Sequence, residues 1–235
     1  MQMILQALLE WKDQLYSTFI VDNNYMMLID GFINTMVIST CALLIGVVLG
    51  ASVAVIKFLA EENRALKPLA KLCDIYVTAV RGIPVVVLLL IFYFVVMRSA
   101  DGLVTAIVTF GINSGAYMAE IVRSGIAAVD GGQTEAARSL GFDRLRAMRF
   151  VVLPQAVKNI LPAIGNEMIA LLKETAVAGY VAVQDLTRAA NLIRNNTYDA
   201  FNPLMVTAVA YLALVIIMTQ LLGKLEQHLR KGDVR

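Results

Sequence analysis

The residues with chemistry to offer are concentrated in one stretch, Asn166, Glu167, Lys173, Glu174 and Thr175, set among apolar neighbours between residues 162 and 183. Glu167 and Glu174 are seven apart and so share a helical face, while Lys173 points roughly 100° away. An unpaired charge at membrane depth is expensive, so these groups need partners. Facing a pathway, they would meet the ammonium, carboxylate or side chain of a polar solute. Facing neighbouring helices, they would form internal ion pairs with Glu120, Arg123 or Arg81. Both readings stand for each residue, and the set as a whole favours the pathway. Arg81, beside Gly82 and Pro84, is a second candidate because helix breaks with charged residues often form binding sites in membranes. Its simpler reading is an arginine that snorkels to headgroups beside a proline kink.

Other chemistries find no support. The chain has no Gly-x4-Gly-Lys-Ser/Thr phosphate loop, so no nucleotide cradle is expected. No His, Cys or carboxylate group has metal-ligand spacing, and no nucleophile and base stand at a recognisable separation. Cys41 and Cys73 are far apart in apolar surroundings and read as packing residues, as do the methionines. Glu120 and Arg123, three apart, read as a structural helical pair, and His228 as solvated.

Hydrophobic residues make up 59% of the 235 and charged residues 16%, a balance that suits an all-α membrane protein crossing several times. The net charge of +2 gives no footprint for nucleic acid, and membrane lipid is the expected surrounding. Residues 1–9 hold no Lys or Arg, so no cleaved signal peptide is expected. Residues 1–30 read as an interfacial amphipathic segment with Trp11 and Tyr16 at headgroup level. A membrane-spanning body over residues 31–223 follows, then a charged tail over residues 224–235.

A crossing needs about 20 residues. Five spans are expected, at residues 31–56, about 72–97, 103–119, 162–183 and 204–223, with residues 184–203 a polar connection. The second carries Arg81-Gly82-Ile83-Pro84 inside it, and Pro162 restarts the helix of the fourth. Lys and Arg concentrate in the first connection, in residues 131–154 and in the tail. The positive-inside rule then puts the N-terminus outside and the C-terminus in the cytoplasm.

Residues 131–154 are the longest charged interruption and read as two short helices joined at an elbow. Thr134 is available as an N-cap, Gly141 as the left-handed end of the first helix, and Asp143 as cap of a second that Pro154 closes. Arg144, Arg146 and Arg149 make one side basic, and Leu145, Met148 and Val152 make the other apolar. Such a helix lies on headgroups or docks into a groove of a soluble partner.

The order Glu135-Ala136-Ala137, Gly141, Val151, Leu153-Pro154 resembles the coupling loop of the permease subunits of bacterial ABC importers, with Val151 where Ile is usual. Arg81-Gly82-Ile83-Pro84, residues 114–123, Gly132-Gln133 and residues 172–175 look like the polar amino acid branch of that family. Ile83 and Ala176-Val177 depart from its usual residues. The resemblance implies the type I importer fold, in the bacterial cytoplasmic membrane, and a non-catalytic subunit that works by alternating access. Glu135, Ala136, Ala137, Ser139, Leu140, Gly141, Phe142 and Arg144 would couple to the ATPase. Arg81, Gly82, Pro84, Asn166, Glu167, Lys173, Glu174 and Thr175 would border the substrate pathway. It implies two cytoplasmic ATP-binding subunits that hold ATP and Mg, this chain binding no cofactor. A second permease subunit, identical or paralogous, and an extracytoplasmic solute-binding protein complete the expected assembly. The rival expectation is an ion-gradient-driven carrier or channel that uses Glu167 and Glu174 directly.

Overall fold

The computed structural model describes residues 2–230, so Met1 and the tail beyond residue 230 lie outside the described residues. The described chain is helical throughout: α1 (Gln2–Tyr16), α2 (Asn24–Ala60), α3 (Lys67–Gly82), α4 (Val85–Ile91), α5 (Gly102–Ala127), α6 (Gly131–Ser139), α7 (Arg144–Ala147), α8 (Leu153–Glu174), α9 (Leu186–Thr197) and α10 (Phe201–Arg230). Three helices are long and apolar enough to cross a membrane, namely α2, α5 and α10. The segments Arg64–Gly82 and Val85–Val96 make a fourth crossing if the pair is one broken span. Helix α8 is less apolar, because Gln155, Lys158, Asn159, Asn166, Glu167, Lys173 and Glu174 interrupt its 22 residues.

Helix α5 is the axis. Of its most apolar window 61% is buried within the chain, against 22% for α2 and 6% for α10. The core gathers beside it, from Ile38, Ala42, Leu89, Phe110, Leu171 and Val181. Helices α2 and α5 share the most extensive interface in the molecule. Its cause is visible in sequence: Gly46 and Gly50 on α2 face the α5 segment that carries Gly111 and Gly115. A Cβ on Gly50 would fall 2.4 Å from the Met118 Cβ, and one on Gly115 would fall 2.6 Å from the Tyr76 hydroxyl. With hydrogen there instead, the backbones touch, which is how membrane helices gain dispersion energy where the hydrophobic effect is weak. Tyr76 of α3 closes the other side by donating to the Ile112 carbonyl at 2.6 Å.

Several sequence expectations are corrected. The first long helix begins at Asn24, and α10 runs on past residue 223 to Arg230. The Gly-Ile-Pro break is a corner of 109°, far sharper than a kink, because Ile83 and Pro84 both leave helical backbone angles. Pro154 sits in the first turn of α8 and Pro162 inside it, so neither ends nor restarts a helix. Packing of α8 on α5 and α10 outweighs the proline penalty, with Ile160 seated on Gly125 and Leu222 on Gly165. The helix stops at Glu174 instead of residue 183, continuing as a 3-10 segment, Thr175–Val181. The polar connection holds α9, capped by Asp185.

The N-terminal segment is tied to the start of α10. The Trp11 indole donates to Asn202 at 2.8 Å, and Thr18 donates to Asp199 at 2.9 Å.

The contact between α2 and α5 predicts an asymmetric response to side chains. Gly50→Val should destabilise by about 1–3 kcal/mol and lower the yield of monodisperse protein. Gly223→Val, where an added Cβ meets nothing within 4 Å, should leave the thermal midpoint unchanged. Size-exclusion profiles and thermal midpoints in detergent check both.

Candidate functional site

Two constructions bring the sequence-predicted residues together. The first is the elbow. Asp130, not Thr134, caps α6, its carboxylate accepting from the Gly132 amide at 2.9 Å, because the helix begins before Thr134 and absorbs it. At the other end Gly141 takes φ +89°. The Gly141 amide donates to Arg138 at 3.0 Å, and the Phe142 amide donates to Ala137 at 3.2 Å. This pair of bonds is a Schellman cap, and Gly is the residue that takes its left-handed position without strain. Asp143 caps α7 as expected, accepting from the Arg146 amide at 2.7 Å.

Buried Ala137, Ala147 and Val152 form the underside of the elbow, while Glu135, Ala136 and Ser139 face out. Leu140 is 82% exposed at the tip, with Phe142 beside it. An apolar side chain so bare at a rigid corner is suited to a partner's groove. Gln155 donates to Gln133 at 3.2 Å, which fastens α6 to the start of α8. Chain continuity does the same for α7, since α7, a π-turn at Met148–Val152 and α8 run on as one helical rod to Glu174. Arg144 turns away from the outer face and pairs with Glu61 and Glu62 of the α2 end.

The second construction lies between α5 and α8. Glu167 and Glu174 do share a face, and it is turned to α5. Asn113 donates to the Glu174 carboxylate at 3.2 Å. Glu167 lies beside Ser114. The buried Ser114 hydroxyl faces that carboxylate. Two carboxylates, one amide and one hydroxyl thus share the contact between α5 and α8, a set chemically able to accept from an ammonium or another donor-rich group. Sequence reasoning missed Asn113, although a lone Asn within a long apolar run was signal enough.

The remaining candidates separate from this cleft. Asn166 and Lys173 are exposed, and Thr175 is wholly buried, donating back to the Leu172 carbonyl at 2.9 Å. Pro84 marks the corner between α3 and α4. Arg81 stacks on Tyr117 at 5.3 Å and, with Gly82, lines a cavity of about 480 Å³ among Lys57, Asp74, Glu120 and Arg123. Glu120 pairs with Arg123, and Lys57 with Asp74 at 2.6 Å. The internal ion pairs that might have joined Glu167 or Glu174 to Arg81 or Arg123 do not form among the described residues. A larger cavity, about 550 Å³, opens beside α9 between Tyr180, Asp185, Arg188 and Asn191.

Residues 42–231 match the family described as "Binding-protein-dependent transport system inner membrane component". The chain belongs to this family. The permease is 36% identical over 216 residues to a probable glutamine ABC transporter permease protein of Bacillus subtilis, covering 91% of this chain and 98% of that one. It is 35% identical over 210 residues to the arginine transport system permease protein of the same organism, covering 88% and 94%. A crystal structure of an amino acid ABC transporter with histidines superposes with TM-score 0.82 at 39% identity, covering 87% of this chain and 94% of that one. The recognised motifs thus belong to a transport permease subunit, as the sequence resemblance implied.

Two measurements test the polar contacts. Asn113→Leu strands the Glu174 carboxylate and should cost about 1 kcal/mol, whereas Asn113→Leu with Glu174→Leu should recover most of the loss. Thermal midpoints of the two variants decide it. Burial pushes the Asp185 carboxyl above its ordinary 3.8, against the lowering effect of hydrogen bonds from the Thr187 and Arg188 amides. The stability linked to its protonated form is complete below that ordinary value and is lost as pH rises through the raised folded one. Asp185→Asn, which keeps a cap acceptor, should therefore flatten the decline in thermal midpoint above about pH 4.

Proposed function

We propose that this chain is the membrane-spanning subunit of an ABC importer for polar amino acids in a bacterial cytoplasmic membrane. Five spans cross it, α8 being the fourth and the α3–α4 pair the second, with the N-terminus outside and the C-terminus in the cytoplasm. The elbow then faces the cytoplasm. Two ATP-binding subunits, which hold ATP and Mg, each receive one elbow, and a second permease subunit completes the pathway. A solute-binding protein delivers the amino acid from outside.

One observation carries this reading: the exposed Leu140 tip is joined through a capped corner and an unbroken helical rod to the two carboxylates of α8. Closure of the ATP-binding subunits would push on the tip, and the rod would deliver the push to Glu167 and Glu174. No slack segment lies between. Alternating access requires such a two-state element biased by nucleotide. The glutamine and arginine names of the relatives support an amino acid as cargo. The cleft adds a reason, since Glu167, Glu174 and Asn113 suit an ammonium or a donor-rich side chain. Arg81 and Gly82 would border the pathway from a separate cavity, and Asn166 and Lys173 would face it from α8. Thr175 would serve packing instead.

Uptake by proteoliposomes containing the complete transporter tests both parts. Glu167→Gln and Glu174→Gln should each lower uptake at least about tenfold, a loss of about 1.4 kcal/mol in transition-state stabilisation. Gly141→Val strains the left-handed corner and should leave ATP hydrolysis running while uptake fails. Uptake driven by an ion gradient with no ATPase present would favour the carrier reading instead.

A further inference from the structure

Arg144 is the elbow arginine that turns inward to acidic partners on α2. Leu140 and Leu145 look outward, whereas the Arg144 side chain is only 26% exposed and folds back against the C-terminal end of α2. There its guanidinium pairs with Glu61, comes within 3.7 Å of a Glu62 oxygen, and stacks 4.7 Å from the Phe58 ring centre. Residues 58, 61 and 62 follow the spacing i, i+3, i+4, so one side chain grips a whole turn. Glu61 and Glu62 stand at the helix end where the dipole disfavours anions, and the cation of that last turn, Lys57, is engaged by Asp74. Behind this contact lies a cavity of about 400 Å³ lined by Ala54, Phe58, Thr134, Met148 and Val152. That cavity occupies part of the space between the elbow and α2. A charged bridge spans it.

We propose that Arg144 is a positioning residue, a pin that makes α2 move with the elbow. The inference rests on the coupling role proposed for the elbow. A push at Leu140 reaches α8 along the helical rod and reaches α2 through Arg144. Since α2 is joined to α5 by their glycine contact, α2, α5 and α8 then travel as one body. The polar contacts between α5 and α8 that join Asn113 to Glu174 and Ser114 to Glu167 keep their geometry during the stroke. Without the pin, the same push shears α8 against α5.

The experiment is a charge exchange in the complete reconstituted transporter, read as amino acid imported per ATP hydrolysed. Arg144→Glu should lower that ratio about tenfold, as should Glu61→Arg with Glu62→Arg, and the three together should restore it to within about threefold of the original. Thermal midpoints should stay within about 4 °C throughout, because a partly exposed ion pair contributes little to stability. An unchanged ratio in Arg144→Glu, or a combined variant no better than its parents, overturns the pin. Should the combined variant not assemble, Arg144→Lys and Arg144→Gln decide: the lysine should keep at least about half the ratio and the glutamine should lose it. Equal ratios in those two variants overturn the proposal. Gly141→Val measured alongside separates the two claims. If it couples normally the elbow's role fails, and if it uncouples while Arg144→Glu does not, only the pin fails.

Discussion

Helices α2 and α5 approach so closely that a single methyl group on Gly50 would overlap Met118, and this contact fixes the positions of nearly everything else. In a lipid surrounding, apolar side chains gain little by leaving their neighbours, so association depends on close packing and on satisfied polar groups. The glycines supply the packing. Tyr76 adds α3 through one hydrogen bond to an α5 carbonyl, and Leu171 and Val181 close the core from α8 and the segment after it. Once α5 is placed, Asn113 and Ser114 have a defined direction, and that direction is toward α8.

Polar groups follow the same logic. Glu174 finds the Asn113 amide, and Asp185 finds the amides of Thr187 and Arg188. The Ser114 hydroxyl lies buried against the Glu167 carboxylate. The charged groups nearer the end of α5 are arranged differently. Glu120, Arg123, Lys57 and Asp74 pair with each other around Arg81, which leans on an aromatic face. These pairs hold helix ends in place and are separate from the cleft.

Much of this could be read from residues alone, and the failures are physically specific. The left-handed glycine and the Asp143 cap were legible because each depends on a local backbone requirement that few residues meet. The seven-residue separation of Glu167 and Glu174 placed them on one face for the same reason. Proline misled: at Pro154 and Pro162 tertiary packing from α5 and α10 sustains a helix that local propensity would end. The partner of Arg144 was invisible, because Glu61 is 83 residues away in sequence and only the fold brings it near. Asn113 was overlooked although its polarity stood out. The family itself was legible, because the coupling-loop order of residues falls inside the region that matches the family of transport permeases.

The central claim is that the elbow is the surface through which a nucleotide-burning neighbour does work on the rod of α8. Leu140 is its most exposed point, so the most direct measurement places a photo-crosslinker there in the complete transporter and identifies the adduct by mass spectrometry. A covalent product with the ATP-binding subunit is expected, its yield changing as nucleotide is added or withheld. A product with the solute-binding protein, or none with the ATP-binding subunit in any nucleotide state, would contradict it.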